Sequence, residues 1–309
     1  MKNKKIAVLM GGPSEEREVS LNTGNAILQA LREKGYHVVG LDLIPHQFFE
    51  QLKDNQIEVV FNAVHGKYGE DGAVQGALEL IGIPYTGSGL MASAVAMDKA
   101  VSKRLFLAAQ IPTPHAKLYN QTADKQNIAA EVSAEFGLPV VVKSSAQGSS
   151  IGVTIVEEEN QLAQAIEQAF AHSSQLLIEQ FIEGQEVTVA VWGDSNPQAL
   201  PMIEIVPHSG RYDYRSKYTK GATDYIIPAR LDEQTASRVK EAALNAFTVL
   251  GCRGIARVDI MIDRSGNPYV LEVNTIPGMT ATSLVPKAAA ADGISFADLC
   301  ERLLLSAQI

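Results

Sequence analysis

Apolar positions in the first ninety residues come in short blocks whose period alternates between strand and helix. "KKIAVLMGG" is a continuous apolar run closed by glycines, "SLNTGNAILQALREKGY" repeats Leu21, Gly24, Leu28 and Leu31 at helical spacing, and "HVVGLDL" returns to a strand. That order predicts a βαβ unit with Ser20 as the helix N-cap. A second buried strand, "EVVFNAV", runs through the glycine-rich "HGKYGEDG" into the helix "AVQGALELIG", so residues 1–88 are expected to form a small α/β domain on a parallel sheet. "LMASAVAMDKAVSKRLFLAAQ" predicts one long helix leading out of this domain to a break at "IPTP". Beyond it, "PVVVKSS", "IGVTIV", "LLIEQFI", "EVTVAVWG" and "MIEIVP" are β-rich, with helical stretches near 124–137 and 160–171. An α+β middle portion is therefore expected to reach residue 185, and a third portion, 186–309, to end in helices. Residues 208–224, "HSGRYDYRSKYTKGATD", show no period and read as a long loop of the kind that covers sites.

"RVDIMIDRSGNPYVLEVNTIPG", residues 257–278, predicts a hairpin whose turn centres on Ser265 and Gly266. A constant register from that turn sets Asp259 opposite Glu272 and Arg257 opposite Asn274. Alternation then places Val258, Ile260, Ile262, Tyr269, Leu271 and Val273 on one face, and Arg257, Asp259, Met261, Val270, Glu272 and Asn274 on the other. Opposed like charges about 4.5–5.5 Å apart at Cβ destabilise a strand pair, so a positive charge is expected between them. Arg257 supplies part of it. A Mg²⁺ ion suits two carboxylates and an amide carbonyl better, leaving positions for water and phosphate oxygens. The bland alternative is a solvated face carrying a surface ion pair. "NTIPG" weighs against it, because a rigid turn follows the strand and its N–H groups can hold an anion.

Charge and composition narrow the function classes. A formal net charge of −9 opposes broad nucleic-acid binding. No apolar run reaches the about 20 residues that span a bilayer, and "IAVLM" behind the basic start is too short for a signal core, so a cytoplasmic location is expected. Cys252 and Cys300 lack metal or redox spacing and read as core thiols. Lys143, Gly148, Ser149, Ser150 and Gly152 in "VVVKSSAQGSSIG" let backbone N–H groups approach a phosphate, although a plain hairpin loop explains them equally well. Two other matches are accidental. Gly148 to Gly152 fits G-x-S-x-G, but the sequence after it is strand-like and a nucleophile elbow needs a helix. "GSGLMA" fits a dinucleotide fingerprint, but the region about 20 residues on lacks the acid that would hold a ribose.

Taken in order, "GGPSEEREVS", "AVHGKYGEDG", "YTGSG" with "MASAVAMDK", "VVVKSSAQGSSIG", "YDYRSKY", and "ARVDIMID" followed by "LEVNTIPGMTATSLVP" resemble the D-alanine:D-alanine ligases of the ATP-grasp superfamily over essentially the whole chain. The resemblance implies an N-terminal parallel-sheet (preATP-grasp) domain over 1–88. After it come a linker helix and central ATP-binding domain over 89–185, then a C-terminal ATP-grasp domain over 186–309 with its lid at 208–224. It implies an ATP-dependent ligase that phosphorylates one D-alanine carboxylate and lets the amine of a second attack the acyl phosphate, for peptidoglycan synthesis. Its cofactor would be two Mg²⁺, or Mn²⁺ in their place, and its assembly a homodimer without nucleic-acid or membrane partners. The competing readings are another ATP-grasp ligase with a hydroxy acid such as D-lactate as second substrate, and a catalytically silent nucleotide-binding protein.

By the same resemblance Asp259, Glu272 and Asn274 are metal ligands, Arg257 contacts the acyl phosphate, and the Gly278 N–H completes an oxyanion site. Lys99, Lys143 and Lys217 bind phosphates, Glu179 and Ile182 seat the adenine, and Glu186 holds the ribose. Glu16, with Glu15 and Glu18 as neighbours, pairs with the first ammonium; Ser149 and Tyr218 link it to the lid; His65 sits at the substrate side; Ser283 and Leu284 seat the second carboxylate. Tyr218 points to a dipeptide rather than a depsipeptide product. Where the family has Lys-Pro this chain has Lys143-Ser144, which restores a donor and removes no ligand, and the bulky Ile276 is a second tolerable variation.

Overall fold

The computed structural model describes residues 1–145, 153–210, 212, 216, 219 and 221–309. The chain opens with β1 (Ile6–Met10), α1 (Arg17–Glu33), β2 (Val38–Asp42), α2 (Phe48–Asp54), β3 (Val59–Asn62) and α3 (Ala73–Ile81). The three strands form a parallel sheet in the order β2-β1-β3. Every β1 residue is buried, which is why its sequence is a continuous apolar run rather than an alternating one. Helix α1 begins three residues before Ser20, so Ser20 is not its cap. The Ser20 hydroxyl instead accepts the Gly11 N–H at 2.8 Å and donates to the Ala63 carbonyl at 2.7 Å, tying the loops after β1 and β3 together. The buried stripe is accordingly Ser20, Thr23, Gly24, Ile27, Ala30 and Leu31, with Leu21 and Leu28 at its margin. Gly11 has φ of 72°, and a Cβ there would lie 2.2 Å from an Asp42 carboxylate oxygen, so a side chain is excluded twice over.

The predicted long helix is two: α4 (Leu90–Met97) and α5 (Lys99–Ala108). Asp98 stands between them in extended conformation, and its carboxylate accepts the N–H groups of Ala100 and Val101. Apolar spacing continues through the break, because a capped restart turns the axis without disturbing the apolar period. Substituting Asp98→Ala is expected to cost about 1 kcal/mol of stability, read as a lower melting temperature, since α5 loses its cap and Ser145 loses a 3.0 Å bond to the same oxygen.

Next come β4 (Ala116–Asn120), α6 (Lys125–Glu135), β5 (Val140–Ser144), β6 (Thr154–Val156), α7 (Glu159–His172) and β7 (Gln175–Gln180), and the four strands pair in the order β4-β7-β5-β6. Then follow β8 (Gly184–Gly193), β9 (Gln198–Ala199), β10 (Ile203–Pro207), β11 (Thr223–Ile226), α8 (Glu233–Val249), β12 (Gly254–Asp263), β13 (Pro268–Asn274), α9 (Leu284–Ala291) and α10 (Phe296–Leu305). Their antiparallel sheet runs β11-β10-β8-β12-β13, with β9 at the end of β8. Val187, Val189, Val191, Val258, Ile260, Ile262, Val270 and Val273 pack under α8 in one core. The opposite face carries Glu186, Thr188, Arg257 and Asp259 together with Ala190, Ile203 and Ile255, which join the apolar core of the N-terminal domain.

The β12–β13 hairpin keeps the expected pairs Asp259 with Glu272 and Arg257 with Asn274, but its register shifts between Asp259 and Ile260. Ile260 pairs with Val270, leaving Leu271 as the extra residue of a bulge. That slip corrects the constant-register face assignment: Val270 is fully buried in the core, whereas Tyr269 moves across to pair with Met261, and Leu271 is outside the core cluster. The bulge reconciles a core-directed Val270 with a cleft-directed Glu272, two residues that strict alternation would place on one face.

Candidate active site

A cleft of about 330 Å³ opens where the N-terminal sheet, the α4–α5 junction and the end of the hairpin meet. It gathers Glu16, His65, Lys99, Arg257, Glu272, Asn274, Gly278, Ser283 and Leu284, nine of the expected residues drawn from six separate segments. Glu16 immediately precedes α1, Lys99 is the first residue of α5, and Ser283 is the residue before α9. Helix starts thus present three of these side chains, and β13 with its following turn presents Glu272, Asn274 and the backbone of Gly278.

The opposed acids each carry a resident cation. Arg257 grips Asp259 through two bonds, Nε to Oδ1 at 2.9 Å and Nη2 to Oδ2 at 2.8 Å, and the Thr188 hydroxyl donates to Asp259 Oδ1 at 2.6 Å. Glu272 is held by Lys99 at 3.0 Å. Burial by itself would lower the pKa of Arg257, but the attraction of Asp259 outweighs it and holds the guanidinium above its ordinary value. Burial opposes the charge on Lys99 likewise, and Glu272 overcomes it, so that pKa is raised too. Arg257 thus supplies the part of the positive charge expected of it, at Asp259, and Lys99 adds a second cation at Glu272. Among the described residues no group of three His, Cys, Asp or Glu is gathered into an all-protein metal cage. What the hairpin does present is oxygen: two carboxylates and the Asn274 amide, whose Oδ1 also accepts the Ile276 N–H at 2.9 Å and starts the turn after β13. Such a donor set fits a hard cation that keeps several outside ligands.

The turn that follows is tight. A Cβ on Gly278 would lie 3.0 Å from Ser283 Oγ, which itself accepts the Thr280 N–H at 3.1 Å. His65 is buried and bridges Glu70 Oε1 at 3.2 Å and Thr23 Oγ1 at 3.1 Å. Thr23 Oγ1 also accepts the Met279 N–H at 3.4 Å, so the histidine is coupled to the loop after β13.

Lys143, Glu179, Ile182, Glu186 and Asp259 do not line this cleft. Glu179 is 1% exposed on β7 and lies 2.8 Å from Lys143 on β5, so these two are brought together inside the four-stranded sheet. Ile182 is buried just beyond β7. Glu186 sits on β8 across from Met261 and two residues before Thr188, on the polar face that also carries Asp259. Ser149, Lys217 and Tyr218, with Gly148, Ser150 and Gly152, lie outside the described residues.

Sequence reasoning missed Lys103, Glu70, Thr23, Tyr212 and Tyr225. Lys103 was detectable, since it follows Lys99 by four residues and so shares its helix face. It reaches Glu179 at 3.1 Å, and burial pushes it down to about 8. Tyr212 and Tyr225 line the cleft with their hydroxyls 3.1 Å apart, and burial raises the pKa of Tyr212. No sequence pattern pairs a loop tyrosine with one on the following strand, 13 positions further on.

A family model described as D-ala D-ala ligase C-terminus matches residues 105–305, and one described as D-ala D-ala ligase N-terminus matches residues 40–88. Over 304 residues the chain is 50% identical to the D-alanine–D-alanine ligase of Pelotomaculum thermopropionicum, covering 97% of this chain and 95% of that protein. Its fold is similar to the crystal structure of D-alanine–D-alanine ligase from Bacillus anthracis, with a TM-score of 0.86, 38% identity, and 98% and 97% of the two chains covered. A structure of the Bacillus anthracis ligase complexed with ATP gives a TM-score of 0.83 at 35% identity, covering 98% of this chain and 97% of that one.

Proposed function

This chain belongs to the D-alanine–D-alanine ligase family, and we propose that its cleft joins two D-alanines at the expense of ATP, as a step of peptidoglycan synthesis. The single observation that carries the reading is the convergence on one cleft of Arg257, Glu272, Asn274 and Gly278 from the hairpin with Glu16 and His65 from the N-terminal domain. A ligase needs such a seam, because nucleotide and amino acids must be held by different elements and meet at one carbon.

In the first step a carboxylate oxygen of D-alanine attacks the γ-phosphorus of ATP and ADP leaves. In the second, the amine of the other D-alanine attacks the acyl carbon, the C–O bond to phosphate breaks, and the nitrogen loses a proton. Both steps displace negative charge, so positioning and fixed positive charge supply most of the catalysis. Glu16 pairs with the first ammonium. Arg257 and the Gly278 N–H face the oxygens of the acyl phosphate, and the start of α9 at Ser283 and Leu284 receives the second carboxylate. Lys99, Lys143 and Lys217 hold phosphates, while Glu179, Ile182 and Glu186 bind the nucleoside. Ser149 and Tyr218 link Glu16 to the lid.

Asp259, Glu272 and Asn274 would hold Mg²⁺, which when bound neutralises phosphate oxygens. Arg257 and Lys99 pair with Asp259 and Glu272 respectively. Stripping divalent ions with a chelator is expected to abolish ADP release, and adding back Mg²⁺ or Mn²⁺ to restore it; chelator-resistant turnover would remove these residues from that role.

No helix among the described residues is long and apolar enough to cross a membrane, and a cytoplasmic location is part of the proposal. A homodimer would cover the exposed Leu80, Ile81, Leu90 and Met91 on the adjoining α3 and α4, and light scattering tests it. The reaction itself is tested with purified protein, ATP, Mg²⁺ and D-alanine, with L-alanine and D-lactate as controls. D-alanyl-D-alanine and ADP are expected from D-alanine alone. ADP release that requires D-lactate, or ATP binding without turnover, would sink the proposal.

A further inference from the structure

Two ammonium groups share one buried carboxylate oxygen. Glu179 Oε1 lies 3.1 Å from Lys103 Nζ and 2.8 Å from Lys143 Nζ, and the three side chains are 2%, 4% and 8% exposed. The two lysines differ in how they are held. Lys103 also donates to Thr113 Oγ1 at 2.7 Å and to the Pro114 carbonyl at 3.2 Å, so two hydrogen bonds hold it in place besides the ion pair. Thr113 in turn donates to the Val270 carbonyl at 2.7 Å, anchoring the group to β13. Lys143 has Glu179 as its one partner among the described residues.

We propose that Lys103 is the resident counter-ion of Glu179, a positioning residue that keeps this carboxylate neutralised so that Lys143 is free to leave it for the nucleotide phosphates. The inference rests on the reading of Lys143 as a phosphate ligand. Its logic is electrostatic. A buried carboxylate stripped of every cation is strongly destabilised, so with Lys143 as sole partner the lysine stays and the phosphates lose it. With Lys103 fixed by two backbone-anchored bonds, Lys143 departs without leaving an uncompensated charge. A lysine that merely packs the nucleoside pocket would show no such dependence.

The test compares binding of ATP and of adenosine, which lacks phosphates, to the intact protein by calorimetry, with thermal melting to confirm folding. Lys103→Met is expected to lower the ratio of ATP to adenosine affinity by on the order of 10-fold or more, the worth of one charge-assisted contact. Adding Glu179→Gln to that variant removes the charge that retains Lys143 and is expected to restore most of the ratio, although both ligands bind the double variant more weakly. Equal weakening of ATP and adenosine in Lys103→Met, or no recovery in the double variant, overturns the proposal. Lys143→Met separates the two claims. If it leaves the ratio unchanged, the phosphate role of Lys143 fails and this inference with it; if it lowers the ratio while Lys103→Met does not, the counter-ion role alone fails.

Discussion

Turnover is expected to fall by at least about 10³-fold when Arg257 is replaced by methionine, the scale set by removing a fixed cation or oxyanion donor from a phosphoryl or acyl transfer site. Arg257 lines the cleft and is aimed by its two bonds to Asp259. Arg257→Lys keeps the charge but loses the planar fork, so it is expected to recover a minor part of the rate. ADP release at saturating ATP and D-alanine is the measurement. Because truncating one member of a buried pair costs about 3–5 kcal/mol, the single variant will also melt earlier. The double variant Arg257→Met with Asp259→Asn leaves no orphan charge, and its stability should return while its activity does not. An Arg257→Met enzyme with more than a tenth of the parent rate would take this residue out of the chemistry.

Glu272→Gln carries the second large effect, a loss of about 100-fold or more in turnover, since a metal contact on transferring phosphate is worth several kcal/mol. Gln keeps the shape and one acceptor but not the charge, so excess Mg²⁺ is expected to recover part of the rate by mass action. The same change releases Lys99 from its 3.0 Å ion pair, so ATP affinity without metal need not fall, and the split between metal-dependent and metal-free binding identifies the cause. Ser144→Pro serves as the comparison. It removes the buried 3.1 Å bond from the Ser144 hydroxyl to the Ala169 carbonyl between β5 and α7, yet touches no proposed ligand and is expected to change turnover by less than Glu272→Gln. Similar small losses from both variants would undo the metal assignment.

Most elements were legible because local chemistry decides them. The buried parallel strand β1, the turn at Ser265 and Gly266, and the break at "IPTP" are each written in a few consecutive residues. The failures share a cause. Ser20 has the composition of a cap, but its hydroxyl satisfies Gly11 and Ala63, groups separated from it by 9 and 43 positions. Asp98 interrupts a helical period without altering it. The bulge at Leu271 follows from the need of β13 to pack Val270 under α8 while presenting Glu272 to the cleft, and a constant-sum register has no way to express that demand.

By itself the sequence determined the family, the order of the elements, and the pairing of Asp259 with Glu272, because motif, period and turn chemistry act over short spans of chain. Only the tertiary structure decided which cation each acid receives and that Lys103 and Lys143 converge on Glu179. Electrostatic partnership inside a protein depends on distance and burial, and β13, α5, β5 and β7 acquire both only when Lys99 and Lys103 of α5 reach carboxylates on β13 and β7.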